Sequence, residues 1–174
     1  MTLRVRLSSR ELGFVGVMTG LCVALNYAML GFINVKLMDL FVFVSGYLMG
    51  PLIGVLVGSL TWLVYGTLNP YGFSLPILFV TIFGESLYGL AGGLASRFGL
   101  VDLSNSQGLS LSKIGFWVTN LKFGLLGFLL TFAYDLLTNV FSGLVVGIPI
   151  VVAIMAGVLF ALVHEVSNFL FFFF

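Results

Sequence analysis

Apolar residues run through this chain in blocks long enough to cross a bilayer, broken by short polar or turn-forming stretches. A spanning helix needs about 20 mostly apolar residues. The first block covers 11–33. The second covers 36–49 and stops at Gly50-Pro51, where proline disfavours continuation. A third runs over 52–68 and ends at the turn signal Asn69-Pro70-Tyr71-Gly72. The fourth spans 75–97, and a serine-rich polar loop follows at 98–112. The fifth runs over 113–142, and after a connection at 143–149 the sixth reaches the C-terminus. The pattern predicts an all-α polytopic membrane protein, with six transmembrane helices in one compact bundle and residues 1–174 as a single transmembrane domain. The second block is short, about 21 Å of helix against a hydrocarbon core of about 30 Å. Either it begins nearer Phe32, or the second and third helices form a hairpin that does not fully span.

Against that apolar background the polar positions stand out. Asp39, Glu85 and Asp135 lie inside hydrophobic blocks, where a charge costs at least roughly 2.5–3.5 kcal/mol on insertion scales. Such residues face a protein interior or a watery cavity. Thr81, Glu85 and Tyr88 share one helical face; Thr131, Asp135, Thr138, Asn139 and Ser142 share another. Thr61, Tyr65 and Asn69, with Trp62 alongside, mark a third. Such stripes converge on a pocket open to the outside, closed over by the 69–72 and 141–149 loops. Interhelical hydrogen bonds contribute only about 0.6 kcal/mol on average, so structure alone is a weak reason for three acids. For Asp39 a structural role is as good an account, because Lys36 lies at i−3.

Composition supports the membrane reading. The 174 residues are 60% hydrophobic and only 7% charged, with a mean hydropathy of +1.22, whereas a soluble domain is about 25% charged. A net charge of +1 argues against a nucleic-acid partner held through phosphates. The single cysteine, Cys22, excludes an intramolecular disulfide and a cysteine metal cluster. The basic N-terminus followed by apolar residues invites a signal-peptide reading. That run is too long for an h-region of about 7–15 residues, so it is expected to be retained as the first helix. Arg4, Arg6, Arg10, Arg97 and Lys113 fall on one side of the membrane and Lys36 on the other. The termini and the 98–112 loop are therefore expected to be cytoplasmic.

Two further patterns carry alternatives. Lys122 and Glu165 lie at similar distances from the ends of the fifth and sixth blocks, which suggests a buried pair between them. A proton relay through His164 is the sharper alternative. Gly16, Gly20, Ala24 and Ala28 place a seam of small residues along the first helix, and Gly50, Gly54 and Gly58 repeat it on the third. Such seams let helices pack closely, either within the protein or against another membrane subunit. Catalytic chemistry is not indicated. The chain has no G-x-x-x-x-G-K-[ST] loop, no H-E-x-x-H and no G-x-S-x-G, and one histidine cannot supply a zinc site. No enzyme activity, metal or cofactor is expected in this chain, and active transport would need a partner or an ion gradient.

Several stretches together resemble a known family. They are Asn34-Val35-Lys36-Leu37-Met38-Asp39, Gly46-Tyr47-Leu48-Met49-Gly50-Pro51, the run from Trp62 to Gly72, Gly84-Glu85-Ser86-Leu87-Tyr88-Gly89, and Tyr134-Asp135-Leu136-Leu137-Thr138-Asn139. In this order, behind a basic N-terminus and a small-residue first helix, they resemble the substrate-binding S components of energy-coupling factor (ECF) transporters. The resemblance covers nearly the whole chain. It implies a small subunit of the cell membrane that captures a vitamin-like micronutrient on its outer face. A transmembrane coupling subunit and two ATPase subunits would be its partners, and ATP would be hydrolysed there. It also implies a substrate site near the outer helix ends, for which Asn34, Asp39, Trp62, Tyr65, Asn69, Tyr71, Glu85, Tyr88, Asp135 and Asn139 are the candidates. Partner docking would fall on Gly16, Gly20, Ala24 and Ala28, where glycines replace some of the family's alanines. Cobalt- and nickel-type members use an N-terminal histidine site, and this N-terminus has no histidine.

Three acids beside Trp62, Tyr65, Tyr71 and Tyr88 suit a flat, cationic or amine-bearing ring, although an uncharged vitamin bonded by the same carboxylates fits as well. Two other functional classes stay open. One is a proton- or cation-coupled secondary carrier using Asp135, Glu85 and His164, although such carriers commonly show inverted repeats and none stands out here. The other is a non-transport membrane scaffold in which the acids are structural.

Overall fold

The computed structural model describes residues 6–70, 72–99 and 113–174. Among them every regular element is a helix: α1 (Ser9–Ala28), α2 (Met38–Met49), α3 (Pro51–Thr67), α4 (Leu75–Arg97), α5 (Lys113–Val146) and α6 (Ile150–Phe173). Tyr71 and the 100–112 part of the expected loop lie outside the described residues. Local chemistry accounts for the boundaries. Ser8 and Glu11 close a capping box at the start of α1, each side chain bonding the other's backbone N–H. Gly50, at φ 95°, makes the turn that Pro51 then converts into the first residue of α3. Gly147, at φ 77°, ends α5 and Pro149 introduces α6.

Four helices, α1, α4, α5 and α6, are long and apolar enough to cross a membrane. The other two are shorter, with 12 residues in α2 and 17 in α3, or about 18 and 26 Å. The polarity of the molecule is compatible with a membrane protein. Asp39, Glu85, Thr131, His164 and Asn168 are buried, while Val17, Phe79 and Leu159 are 72%, 64% and 75% exposed. A water-facing surface would not place its large aliphatic and aromatic side chains outward in this way.

The short α2 has a structural cause. Asp39, its second residue, bonds His164, which lies about 21 Å along α6 from Ile150 (14 residues at 1.5 Å each). The N-terminus of α2 therefore sits deep in the bundle, and segment 29–37 folds down from the loop end to reach it. Irregular backbone at that depth is tolerated where it is buried in protein or lines a cavity. Of the two expectations for this region, a second helix beginning nearer Phe32 is not found, because α2 begins at Met38.

Close backbone packing joins α2, α3 and α4. A Cβ placed on Gly46 would meet the Gly89 carbonyl, one on Gly54 the Gly89 backbone, and one on Gly58 the Glu85 backbone. Gly54 and Gly58 thus pack within the protein, and no docking role is left to them. The α1 seam differs. A Cβ added to Gly16 or Gly20 would meet nothing within 4 Å, and Ala24 and Ala28 are exposed. At 3.6 residues per turn these four lie roughly opposite Val15, Cys22 and Asn26, which α1 buries.

Candidate functional site

Folding segment 29–37 inward leaves space above the start of α2. A cavity of about 420 Å³ opens there, at the end of the bundle opposite Ser9 and Phe173. Its lining includes Asn26 and Met29, the segment from Phe32 to Lys36, Trp62 and Tyr65 of α3, Asn69, and Phe160 of α6. Asn34 pins the segment in place. It adopts φ 52°, a left-handed conformation that asparagine tolerates better than most residues, and its Nδ2 donates to the Phe160 carbonyl at 2.8 Å. Aromatic rings form one wall: Tyr65 meets Trp62 edge-on at 5.5 Å and Tyr27 at 5.4 Å between ring centroids. Tyr27 in turn donates its hydroxyl to the Leu68 carbonyl at 3.0 Å, tying the ends of α1 and α3 together.

Lys36 lies at the base of this wall. Its Nζ sits 5.2 Å from the Trp62 ring centroid and 5.0 Å from that of Tyr134, a double cation–π arrangement. Behind the rings lies the buried polar network. Trp62 Nε1 donates to Glu85 Oε2 at 3.0 Å. His164 stands between two carboxylates, with Nε2 2.7 Å from Asp39 Oδ2 and Nδ1 3.1 Å from Asp135 Oδ1. Asn168, one turn further along α6, donates through Nδ2 to Asp39 Oδ2 at 2.6 Å and to Thr131 Oγ1 at 2.7 Å. Tyr88 closes the chain by donating to Thr131 Oγ1 at 2.8 Å. A neutral imidazole carries one N–H. Both His164 contacts are hydrogen bonds only if the ring, or one of the carboxyls, holds an additional proton.

The network ties α2, α4, α5 and α6 into one unit at mid-depth. Its registry follows from helical spacing: Thr131 and Asp135 on α5 are one turn apart, as are His164 and Asn168 on α6, so the two pairs face each other across an antiparallel hairpin. Asp39 Oδ1, Thr61 Oγ1, Glu85 Oε1 and Asn168 Oδ1 are buried and make no hydrogen bond, so the interior is rich in acceptors. Its donors come chiefly from His164, Asn168, Trp62 and Tyr88.

The site residues expected from sequence divide into three groups. Asn34, Trp62, Tyr65 and Asn69 line the cavity. Asp39, Glu85, Tyr88 and Asp135 do not line it; they lie in the network behind the aromatic wall. Asn139 lies on α5 in a separate crevice of about 170 Å³ against α6, shared with Asp135 and Glu165. Tyr71 lies outside the described residues. The 69–72 loop contributes Asn69, but the 141–149 stretch does not close the cavity, because α5 continues to Val146.

Two expected pairings are corrected. Lys36 is not the side-chain partner of Asp39. The two meet only through the backbone, where the Asp39 N–H donates to the Lys36 carbonyl at 3.4 Å in the turn into α2, and the Asp39 carboxylate is held by His164 and Asn168 instead. Lys122 is exposed and makes no ion pair with Glu165. The two helices differ in length, 34 residues in α5 and 24 in α6, so equal distances from their far ends do not mean equal depth. Measured from the loop end, Lys122 lies about 13 Å deeper than Glu165. His164 bonds Asp39 and Asp135.

Residues outside the expected set also matter. Asn26 lines the cavity and donates to Met38 Sδ, and Lys36 and Phe160 shape its floor and side. Asn168 could have been found from its i+4 spacing to His164. Phe160 carried no signal, since it lies in the unbroken apolar run 150–163 of α6. Chemically, the arrangement can enclose a small flat molecule against aromatic faces, with amides and one ammonium to orient it. Comparison of the chain with protein families, curated proteins and solved structures finds no match.

Proposed function

We propose that this chain is a membrane-embedded, high-affinity binding subunit for uptake of a vitamin-like micronutrient, of the kind implied by its resemblance to ECF S components. One observation carries the reading: the cavity of about 420 Å³ with an aromatic wall and a few convergent polar groups. Small-molecule sites commonly have volumes of about 300–1,000 Å³ and a lining of this kind. In this reading the cavity opens outward, both termini are cytoplasmic, and all six helices lie in the cell membrane with α2 and α3 stopping short. Partner ATPases supply the energy. Their transmembrane coupling subunit docks along Gly16, Gly20, Ala24 and Ala28, a seam that has no partner within the described residues. Native mass spectrometry of protein purified in mild detergent from rich medium tests the binding. We expect a retained molecule of vitamin size, lost in Tyr65→Ala. An apo mass that no vitamin mixture shifts contradicts the reading.

The bridge Asp39–His164–Asp135 favours a second reading, a proton-coupled carrier, because buried chains of acids and histidines serve as proton relays. Uptake by the chain alone in liposomes under a proton gradient would select it. Uptake that requires co-reconstituted ATPase subunits and ATP selects the first.

A further inference from the structure

The charge that reaches the cavity is opposite in sign to the charge that dominates the blocks around it. Asp39, Glu85 and Asp135 each have an oxygen engaged behind the rings: the first and third by His164, and Glu85 by the Trp62 indole. None of them lines the cavity, whereas Lys36 does. The ammonium rests against the faces of Trp62 and Tyr134. No described carboxylate comes within ion-pair distance of it. Aromatic faces stabilise a cation but supply no hydrogen-bond acceptor of the carboxylate type, and a lysine ammonium has three N–H donors to satisfy.

From this geometry we infer that the cavity takes a flat ring bearing a carboxylate or phosphate, with Lys36 as the group that recognises the anion. The inference rests on the cavity being the substrate site. The ring packs against the Trp62–Tyr65 wall, and the anionic group reaches down to the Lys36 ammonium where segment 29–37 is deepest. A cationic ring entering the same space would meet Lys36 first, with the acids still engaged behind the rings. The sign of the preferred ligand is therefore set by one side chain on the dipping segment and not by the number of acids in the bundle. A charge-assisted hydrogen bond is stronger than a neutral one, and an uncharged analogue would leave the ammonium without its partner.

The experiment uses the full chain in detergent, stripped of bound molecules, and a low-molecular-weight yeast extract split by ion exchange into acidic, neutral and basic pools. Thermal unfolding is followed for the wild type, Lys36→Met and Lys36→Arg. The acidic pool should raise the wild-type Tm by roughly 5–10 °C, the shift expected near 100-fold saturation. The neutral and basic pools should leave it unchanged. Lys36→Arg should retain most of the shift and Lys36→Met should lose it. Stabilisation by the basic or neutral pool alone overturns the anion assignment while leaving the binding reading intact. Equal stabilisation of Lys36→Met by the acidic pool also overturns it. If no pool shifts the wild type, the binding reading itself fails. Should Lys36→Met not fold, the wild-type pools and Lys36→Arg still decide the outcome.

Discussion

Replacing His164 with leucine would leave Asp39 and Asp135 in the bundle interior without the ring that separates and bonds them. Removing one partner from a buried charged group costs about 3–5 kcal/mol. For a chain of this size that corresponds to a fall in Tm of roughly 10 °C or more. Adding Asp39→Asn and Asp135→Asn to the leucine variant should recover part of the loss, since amides need no counter-charge. A leucine variant that melts with the wild type would show that the bridge does not hold the helices together. At this scale the sequence was legible only in part. Three acids in apolar blocks are visible because their cost in a bilayer depends on residue type alone. Their partners are not visible, since partnership depends on which helices touch and at what depth. The i−3 spacing of Lys36 and Asp39 suggests a side-chain pair, but it makes only a backbone bond, and the Lys36 ammonium turns to Trp62 and Tyr134.

Two sets of glycines separate fold from assembly at the level of the elements. Gly46, Gly54 and Gly89 bring α2, α3 and α4 into backbone contact, so Gly89→Ala forces a methyl into the Gly54 backbone. Overpacking of this kind costs about 1–3 kcal/mol or more, and reduced yield and Tm are the expected result. Gly16→Leu and Gly20→Leu, by contrast, point into open space on α1. They should leave the Tm and ligand retention unchanged while reducing co-purification of ATPase subunits. Loss of ligand retention in these α1 variants would place the seam inside the fold. Turn chemistry is local, and for this reason the α2–α3, α3–α4 and α5–α6 breaks could be placed from Gly50-Pro51, Asn69-Pro70 and Pro149. The seams of α1 and α3 read alike in sequence. Only the packing of α3 against α4 shows that one is interior and the other free.

Across the whole molecule, polar residues gather inside an apolar shell, and the cavity arises because α2 begins deep and segment 29–37 dips to meet it. That depth was hinted at by the shortness of the second apolar block. Of the cavity lining, Asn34, Trp62, Tyr65 and Asn69 could be read from the sequence, but Phe160 and Met29 could not, because they differ in no visible way from the many exposed apolar residues. In the proposed function this cavity, and no other part of the bundle, receives the small molecule. The chain has two tryptophans: Trp62 in the cavity wall, and Trp117 on α5 beside Phe173. Trp117→Phe therefore leaves a single reporter in the cavity. Titrating that variant with the acidic small-molecule pool should change its fluorescence saturably, and Trp62→Phe, which keeps only Trp117, should not respond. A silent Trp62, or a response confined to Trp117, would contradict the account.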